Sequence, residues 1–166
     1  NFSVVIIICI VFAAVSSFGV LQIATDTNQL AVDQSTYDAS IVIEDHAAMT
    51  ETTWPDNYVF SFWDRNRAYN YIVSGQSESY GYAQQYYTEF LKSTDPVSWY
   101  EQLNDRSVGY VVAKPYGPAP ADSMQTRLWS NSGSATETTA GLEHYQLIHS
   151  TDEIKVYHVV PGAEIV

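Results

Sequence analysis

The chain has 166 residues, which is enough for one globular domain and an appendage but not for two full domains. Nineteen acidic and seven basic residues give a formal net charge of −12 at pH 7. This balance disfavours nucleic acid and anionic lipid as partners, because both are bound through Lys and Arg. The single cysteine, Cys9, leaves the rest of the chain without a disulfide, a thiolate nucleophile or a cysteine-based metal site.

The first 25 residues carry no charged side chain, and residues 4–15 are apolar throughout. A bilayer core requires about 20 mostly apolar residues in a helix. A secretory signal would place a basic segment before its apolar run, and no Lys or Arg precedes this one. The sequence therefore predicts a transmembrane helix over 1–25, the last helix of a larger membrane protein. A processed pilin-like subunit, a non-enzymatic assembly or binding module of the cell envelope, is the alternative.

Beyond residue 25 the chain is acidic and contains only three lysines, but it keeps 13 Tyr and 4 Trp. Disordered segments are charged and poor in aromatic residues, so this composition indicates a folded domain. An acidic, lysine-poor surface stays hydrated in concentrated salt and is typical of halophiles. An ordinary acidic surface is the alternative interpretation.

The domain organisation follows from these changes in composition. We predict a transmembrane helix over 1–25, a juxtamembrane connector over 26–55 and an extracytoplasmic α/β domain over 56–166. Runs of β-branched and aromatic residues bounded by turn signals predict strands at 57–63, 108–113, 144–149 and 154–160. Helical spacing and start signals predict helices near 44–50, 82–93, 97–103 and 123–129, with 67–73 either helical or extended.

These elements predict an α/β fold with a mixed sheet of about four strands and flanking helices. The last two strands are separated by a short polar turn at 150–153, which indicates an antiparallel hairpin. The first two strands are separated by helices, which favours a parallel crossover.

The first candidate site is the run Phe62, Trp63, Asp64 and Arg65, where the first predicted strand ends. Ligand sites in open α/β sheets gather at the carboxyl ends of strands. A Trp beside an Asp and an Arg could offer a ring face and polar groups to a peptide or a sugar. The alternative is a buried Trp63, with Asp64 as a helix N-cap and Arg65 or Arg67 as its ion-pair partner.

The second candidate site is the Ser- and Gly-rich run 74–82, in which Tyr80 and Tyr82 could stack on a sugar ring. A solvated loop with both tyrosines packed on the core is the alternative. The run lacks the GxxxxGK[ST] pattern of a phosphate-binding loop, and no GxSxG motif occurs in the chain. We predict no catalytic residue, and the four histidines lack the spacing of a helical zinc site, so we predict no metal ligand.

The order of these segments resembles a known domain. A strand runs into Trp63-Asp64, an EFLKSTDP helix end precedes the strand VGYVVA, and HYQLIHS and IKVYHVVPGA close the chain. This order is similar to that of the extracytoplasmic C-terminal domain of archaeal, especially haloarchaeal, oligosaccharyltransferase catalytic subunits, the AglB family. The similarity extends over residues 55–163.

The resemblance implies a role for three residues. In that family the W-W-D part of a W-W-D-Y-G motif binds the hydroxyl group of the acceptor Ser or Thr. Phe62, Trp63 and Asp64 align with W-W-D, whereas Arg65 and Asn66 replace the Tyr and the Gly. The implied partners are the chain's own upstream membrane domain and an acceptor polypeptide. The family's catalytic acids and divalent metal lie in that membrane domain, so no cofactor is expected within this chain.

Overall fold

A computed structural model describes residues 32–77 and 80–160. The chain divides into two units, Asn1–Val32 and Asp33–Val166. The described residues belong to the second unit, apart from Val32. The predicted transmembrane helix over 1–25 lies outside the described residues. Within the described ranges, no helix is both long and apolar enough to cross a bilayer.

The second unit contains four α-helices, one π-helix and four strands in its described part. The α-helices are α1 (Gln34–Met49), α2 (Trp63–Ser74), α3 (Tyr80–Lys92) and α4 (Pro96–Asn104). The strands are β1 (Tyr58–Phe60), β2 (Val108–Ala113), β3 (Tyr145–Ser150) and β4 (Lys155–Val159), and the π-helix spans Thr126–Ser130.

The strands form one mixed sheet in the order β1-β2-β4-β3. β1 and β2 are parallel, with Tyr58 opposite Val108, and β2 pairs antiparallel with β4. β3 and β4 form an antiparallel hairpin. The predicted α/β class, the hairpin and the parallel pair are therefore confirmed.

Helices cover both faces of the sheet, so the core has two halves. β2 is buried along its whole length, as expected for a central strand between two helical layers. One half joins α1 and α2 to the sheet through Ala39, Ile43, Tyr69, Val73, Val59, Tyr110, Val112 and Val156. The other half joins α3, α4 and the π-helix to the opposite face through Tyr87, Phe90, Trp99, Leu128, Phe60, Val111 and Tyr157.

Two asparagines of α2 bind the backbone of the edge strand β1. The Asn70 side chain accepts a hydrogen bond from the Val59 N–H at 2.8 Å, and its Nδ2 donates to the Val59 carbonyl at 2.9 Å. Asn66 Nδ2 donates to the same carbonyl at 2.7 Å. The outward-facing groups of β1 are thus satisfied by side chains rather than by another strand.

The structure differs from the predicted elements at three places. The segment predicted as a connector contains the 16-residue helix α1, which begins at its N-cap Asp33 and whose buried face packs in the core. β1 is three residues long, because α2 already begins at Trp63. The helix predicted at 123–129 is largely the π-helix Thr126–Ser130.

Candidate functional site

A cleft of about 200 Å³ lies where the parallel strands β1 and β2 end. We call it the strand-end cleft. Parallel strands bring their carboxyl ends to the same edge of the sheet, which is where open α/β folds bind ligands. The segment after β1 contributes Phe62, Asp64 and Arg65, and the segment after β2 contributes Lys114, Pro115 and Tyr116. Asp33, Tyr87 and Leu91 complete the lining.

Trp63 and Asp64 form the first turn of α2 and are turned towards solvent. Trp63 is 46% exposed, and the Asp64 side chain is 45% exposed. The interpretation of Trp63 as a buried core residue is therefore wrong. Asp64 is not the N-cap either, because that position belongs to Phe62, which makes no side-chain capping hydrogen bond. A carboxylate in the first turn is instead stabilised by the positive end of the helix dipole.

Phe62 contacts three aromatic side chains at the strand-end cleft. Its ring centroid lies 6.2 Å from that of the buried Tyr87, 5.6 Å from Tyr116 and 6.4 Å from Trp63. Tyr116 is 47% exposed, so exposed aromatic side chains flank Phe62 on both sides. The result is an aromatic surface beside the Asp64 carboxylate, which suits contact with a polypeptide or another ligand that has both apolar and polar groups.

The charges around the cleft are mixed. Arg65 Nε lies 3.4 Å from Asp33 Oδ2, and Arg65 Nη1 lies 4.0 Å from Asp64 Oδ2. These pairs are solvent-exposed and contribute at most about 1 kcal/mol. Partial burial raises the pKa of Asp33, but hydrogen bonds from Ser35 and Thr36 and the charge of Lys114 outweigh it and hold the pKa well below its usual range. Asp33 is thus a fixed anion that caps α1.

Tyr80 and Tyr82 do not join the strand-end cleft. The Arg67 guanidinium lies over the Tyr80 ring at 3.9 Å, on the surface shared by α2 and α3. Tyr82 packs against Phe60 with ring centroids 5.2 Å apart and lines a separate concavity with Trp54 and Arg106. The six predicted site residues therefore divide into a group at the end of β1 and two tyrosines that lie elsewhere.

Sequence reasoning missed the contribution of Asp33, Lys114 and Tyr116. The signal for the last two was available, because the parallel pairing of the first two strands places the segment after the second strand beside the first candidate site. Asp33 would have been recognised as a lining residue only if α1, the helix that it caps, had been predicted from its start.

Across 32–77 and 80–160, no group of three or more His, Cys, Asp or Glu side chains could hold a metal ion. His46 and His158 approach within 4.8 Å between ring centroids, and His46 Nδ1 lies 3.0 Å from the Tyr110 hydroxyl. These contacts of His46 with His158 and Tyr110 pack α1 against the sheet.

No family model matches the sequence, and no curated protein matches it. Among solved structures, the fold is similar to the C-terminal globular domain of the oligosaccharyltransferase AfAglB-S2 from Archaeoglobus fulgidus. The TM-score is 0.54 at 14% sequence identity, over 78% of this chain and 99% of that chain. At this identity the likeness shows a common fold.

Proposed function

We propose that this chain is the C-terminal domain of an oligosaccharyltransferase-like glycosyltransferase and contributes to acceptor recognition. The single observation that carries the proposal is the fold shared with the C-terminal globular domain of an archaeal oligosaccharyltransferase over nearly all of that domain. The order of motifs in the sequence resembles the same family. Catalysis would belong to an upstream membrane domain, which is the proposed partner of this chain.

The strand-end cleft supports a role in binding the acceptor. Phe62, Trp63 and Asp64 stand at the carboxyl end of β1, where the family resemblance places a hydroxyl-binding W-W-D triplet. The exposed Asp64 carboxylate can accept a hydrogen bond from a Ser or Thr hydroxyl, and such charge-assisted bonds are stronger than neutral ones. The exposed ring of Trp63 can pack against the adjoining peptide. Arg65 offers a further donor for a peptide carbonyl.

The test is glycan transfer by the intact membrane protein with Trp63→Ala or Asp64→Ala as its sole copy. We expect site occupancy on envelope glycoproteins to fall roughly tenfold or more in each variant, equivalent to a loss of about 1.4 kcal/mol in acceptor binding. Occupancy is measured by mass spectrometry of glycopeptides. Because both side chains are exposed, the melting temperature should stay within a few degrees of the unmodified protein.

Two variants provide matched controls. Tyr71→Ala removes an aromatic side chain from the same helix, where Tyr71 is 66% exposed. Asp45→Ala removes an exposed carboxylate from α1. Both should leave occupancy unchanged. Normal transfer by Trp63→Ala and Asp64→Ala would remove the acceptor-binding role from this patch, and equal losses in the controls would point to a general effect of surface charge or ring removal.

We further propose that residues 1–25 anchor the chain in the cell membrane and that the folded unit lies on the extracytoplasmic side. The uncharged run of residues 1–25 supports the anchor. The acidic surface suits a salt-rich exterior. Protease added to intact cells should then remove the folded unit, whereas cleavage only after lysis would contradict this orientation.

A further inference from the structure

A second cleft, of about 230 Å³, lies far along the chain from the proposed acceptor patch. We call it the Arg127 cleft. It is formed between the start of α4 and the segment that leads into β3. Val97, Arg127, Ala140, Leu142 and Tyr145 are among its lining residues. Most of these are aliphatic, so the cleft has apolar walls and few polar groups.

Arg127 is a buried cation without a carboxylate partner. Only 7% of the residue is exposed. Its Nη2 donates to the Ala140 carbonyl at 2.7 Å, and its Nε has no hydrogen-bond partner. Among the described residues, no acidic side chain comes within ion-pair distance of Arg127. Buried guanidinium groups are normally paired, because removing their charge from water costs free energy.

Tyr145, at the start of β3, adds a second unsatisfied donor. Tyr145 is 5% exposed and its hydroxyl has no hydrogen-bond partner. Burial raises the pKa of the Tyr145 hydroxyl. Tyr145 and Arg127 line the same cleft. Buried donors in native proteins are rarely left unpaired. An unpaired guanidinium that lines a cleft favours an oxygen acceptor, above all an anionic one.

Two acidic residues, one in the lining and one next to the lining residue Pro96 in the chain, form no ion pair with Arg127. Glu143 contributes to the lining but is exposed and forms no ion pair with Arg127. Asp95 caps α4 by accepting the Ser98 N–H at 3.1 Å, so its carboxylate is already engaged. The local positive charge of Arg127 is therefore not neutralised by a described acidic neighbour, although the protein as a whole carries a net charge of −12.

We propose that the Arg127 cleft binds a carboxylate carried on a short aliphatic group. The Arg127 guanidinium pairs with the carboxylate, and Tyr145 lines the wall beside it. Val97 and Leu142 contact the aliphatic part. A free short-chain acid and the C-terminal carboxylate of a polypeptide that ends in a small aliphatic residue share this chemistry. Binding at this cleft is independent of the proposed glycosyltransferase function.

The competing role for Arg127 is purely structural, since its bond to the Ala140 carbonyl fastens the segment before β3. If the role of Arg127 is purely structural, the cleft binds no anion. A measurement of anion binding therefore distinguishes the two roles. Replacing Arg127 itself could unfold the protein. Val97 is a better position for a test, because it lines the cleft and is 64% exposed.

The test is a titration of the full chain in detergent micelles with isobutyrate at constant ionic strength, followed by nuclear magnetic resonance. We expect saturable shifts at Val97, Ala140 and Tyr145 with a millimolar dissociation constant. The neutral isostere isobutyramide should cause none. Val97→Glu should bind isobutyrate about tenfold more weakly than Val97→Gln, because both variants lose the same aliphatic contact but only the Glu side chain repels the carboxylate.

A comparison of the affinities of two ligands identifies the source of the carboxylate. Tighter binding of N-acetyl-glycyl-valine than of isobutyrate would assign the cleft to a polypeptide C-terminus, and equal binding would assign it to a free acid. Equal shifts with isobutyramide, equal affinity in Val97→Glu and Val97→Gln, or no saturable shift with either acid would overturn the proposal.

Discussion

Replacing Gly109 by Ala is expected to destabilise the folded unit by roughly 3 kcal/mol, which is severe for a single methyl group. A Cβ at this position would overlap the carbonyl oxygen of Asp56 and would lie 3.1 Å from the Asn57 Cα. These are backbone atoms of the turn that enters β1, so no side chain can rotate away. Gly109 also has no pairing partner on β1. Tyr58 pairs with Val108 and the next residue, Val59, pairs with Tyr110, so the register skips Gly109. A glycine at such a point permits the close approach of two backbones.

The measurement is equilibrium unfolding in denaturant, with Gly81→Ala as the matched control. Gly81 lies in α3, and a Cβ there would meet nothing within 4 Å. The same substitution should therefore stabilise the protein by about 0.5 kcal/mol through helix propensity and reduced freedom of the unfolded chain. Effects of equal sign in the two variants would contradict the steric explanation.

Replacing Asn70 by Leu should also cost roughly 3 kcal/mol, although the two side chains have similar size. The substitution removes the acceptor of the Val59 N–H and one donor to the Val59 carbonyl. The carbonyl keeps a hydrogen bond from Asn66, but the N–H would be left buried without a partner. An unsatisfied buried donor carries its full desolvation penalty, and the bond from Asn70 to the Asn66 carbonyl is lost in addition.

Denaturant unfolding and hydrogen exchange of the Val59 amide measure this effect. Gln84→Leu is the control, because Gln84 is an exposed amide on α3 and its replacement should change stability by about 0.5 kcal/mol or less. Faster exchange at Val59 in the Asn70 variant, without a change in the control, would identify the lost bond as the cause. A loss below about 1 kcal/mol would show that water replaces Asn70 at this edge.

The strands were largely predictable from the sequence, whereas two of the helices were predicted only in part. β2 has the predicted bounds of 108–113, because a short continuous apolar run between turn signals is typical of a buried strand. α1 was predicted only near 44–50, because its buried face carries Thr36, Ala39, Ser40 and Ala47 beside a single large apolar residue, Ile43. Small and polar residues give almost no hydrophobic periodicity, even where they pack closely.

The start of α2 was misplaced for a related reason. Its buried face includes Asn66 and Asn70, which resemble solvent-exposed residues in the sequence but bind the backbone of β1. Tertiary hydrogen bonds of this kind leave no local pattern. The same holds for the Arg127 cleft, whose lining comes from segments that are distant in sequence and whose polar groups are noticed only through their burial.

The candidate site was predictable at the level of one segment. The rule that ligands bind at the carboxyl ends of parallel strands directed attention to Phe62, Asp64 and Arg65, which line a cleft in the structure, and their role in binding stays a prediction. It could not exclude Tyr80 and Tyr82, because their positions depend on how α3 packs. The exposure of Trp63 likewise follows from α2 beginning at that residue rather than from its type.

The pairing of the sheet also affects how the chain can assemble. Ser150 and Lys155 pair across a separation of five residues in the hairpin, whereas Tyr58 and Val108 pair across fifty. The entropy of loop closure grows with the logarithm of loop length, so the parallel pair costs about 2 kcal/mol more to close. Helices α2, α3 and α4 lie within that long loop and shorten it once formed. The parallel pair of β1 and β2, next to the strand-end cleft, therefore depends on helices that the hairpin does not need.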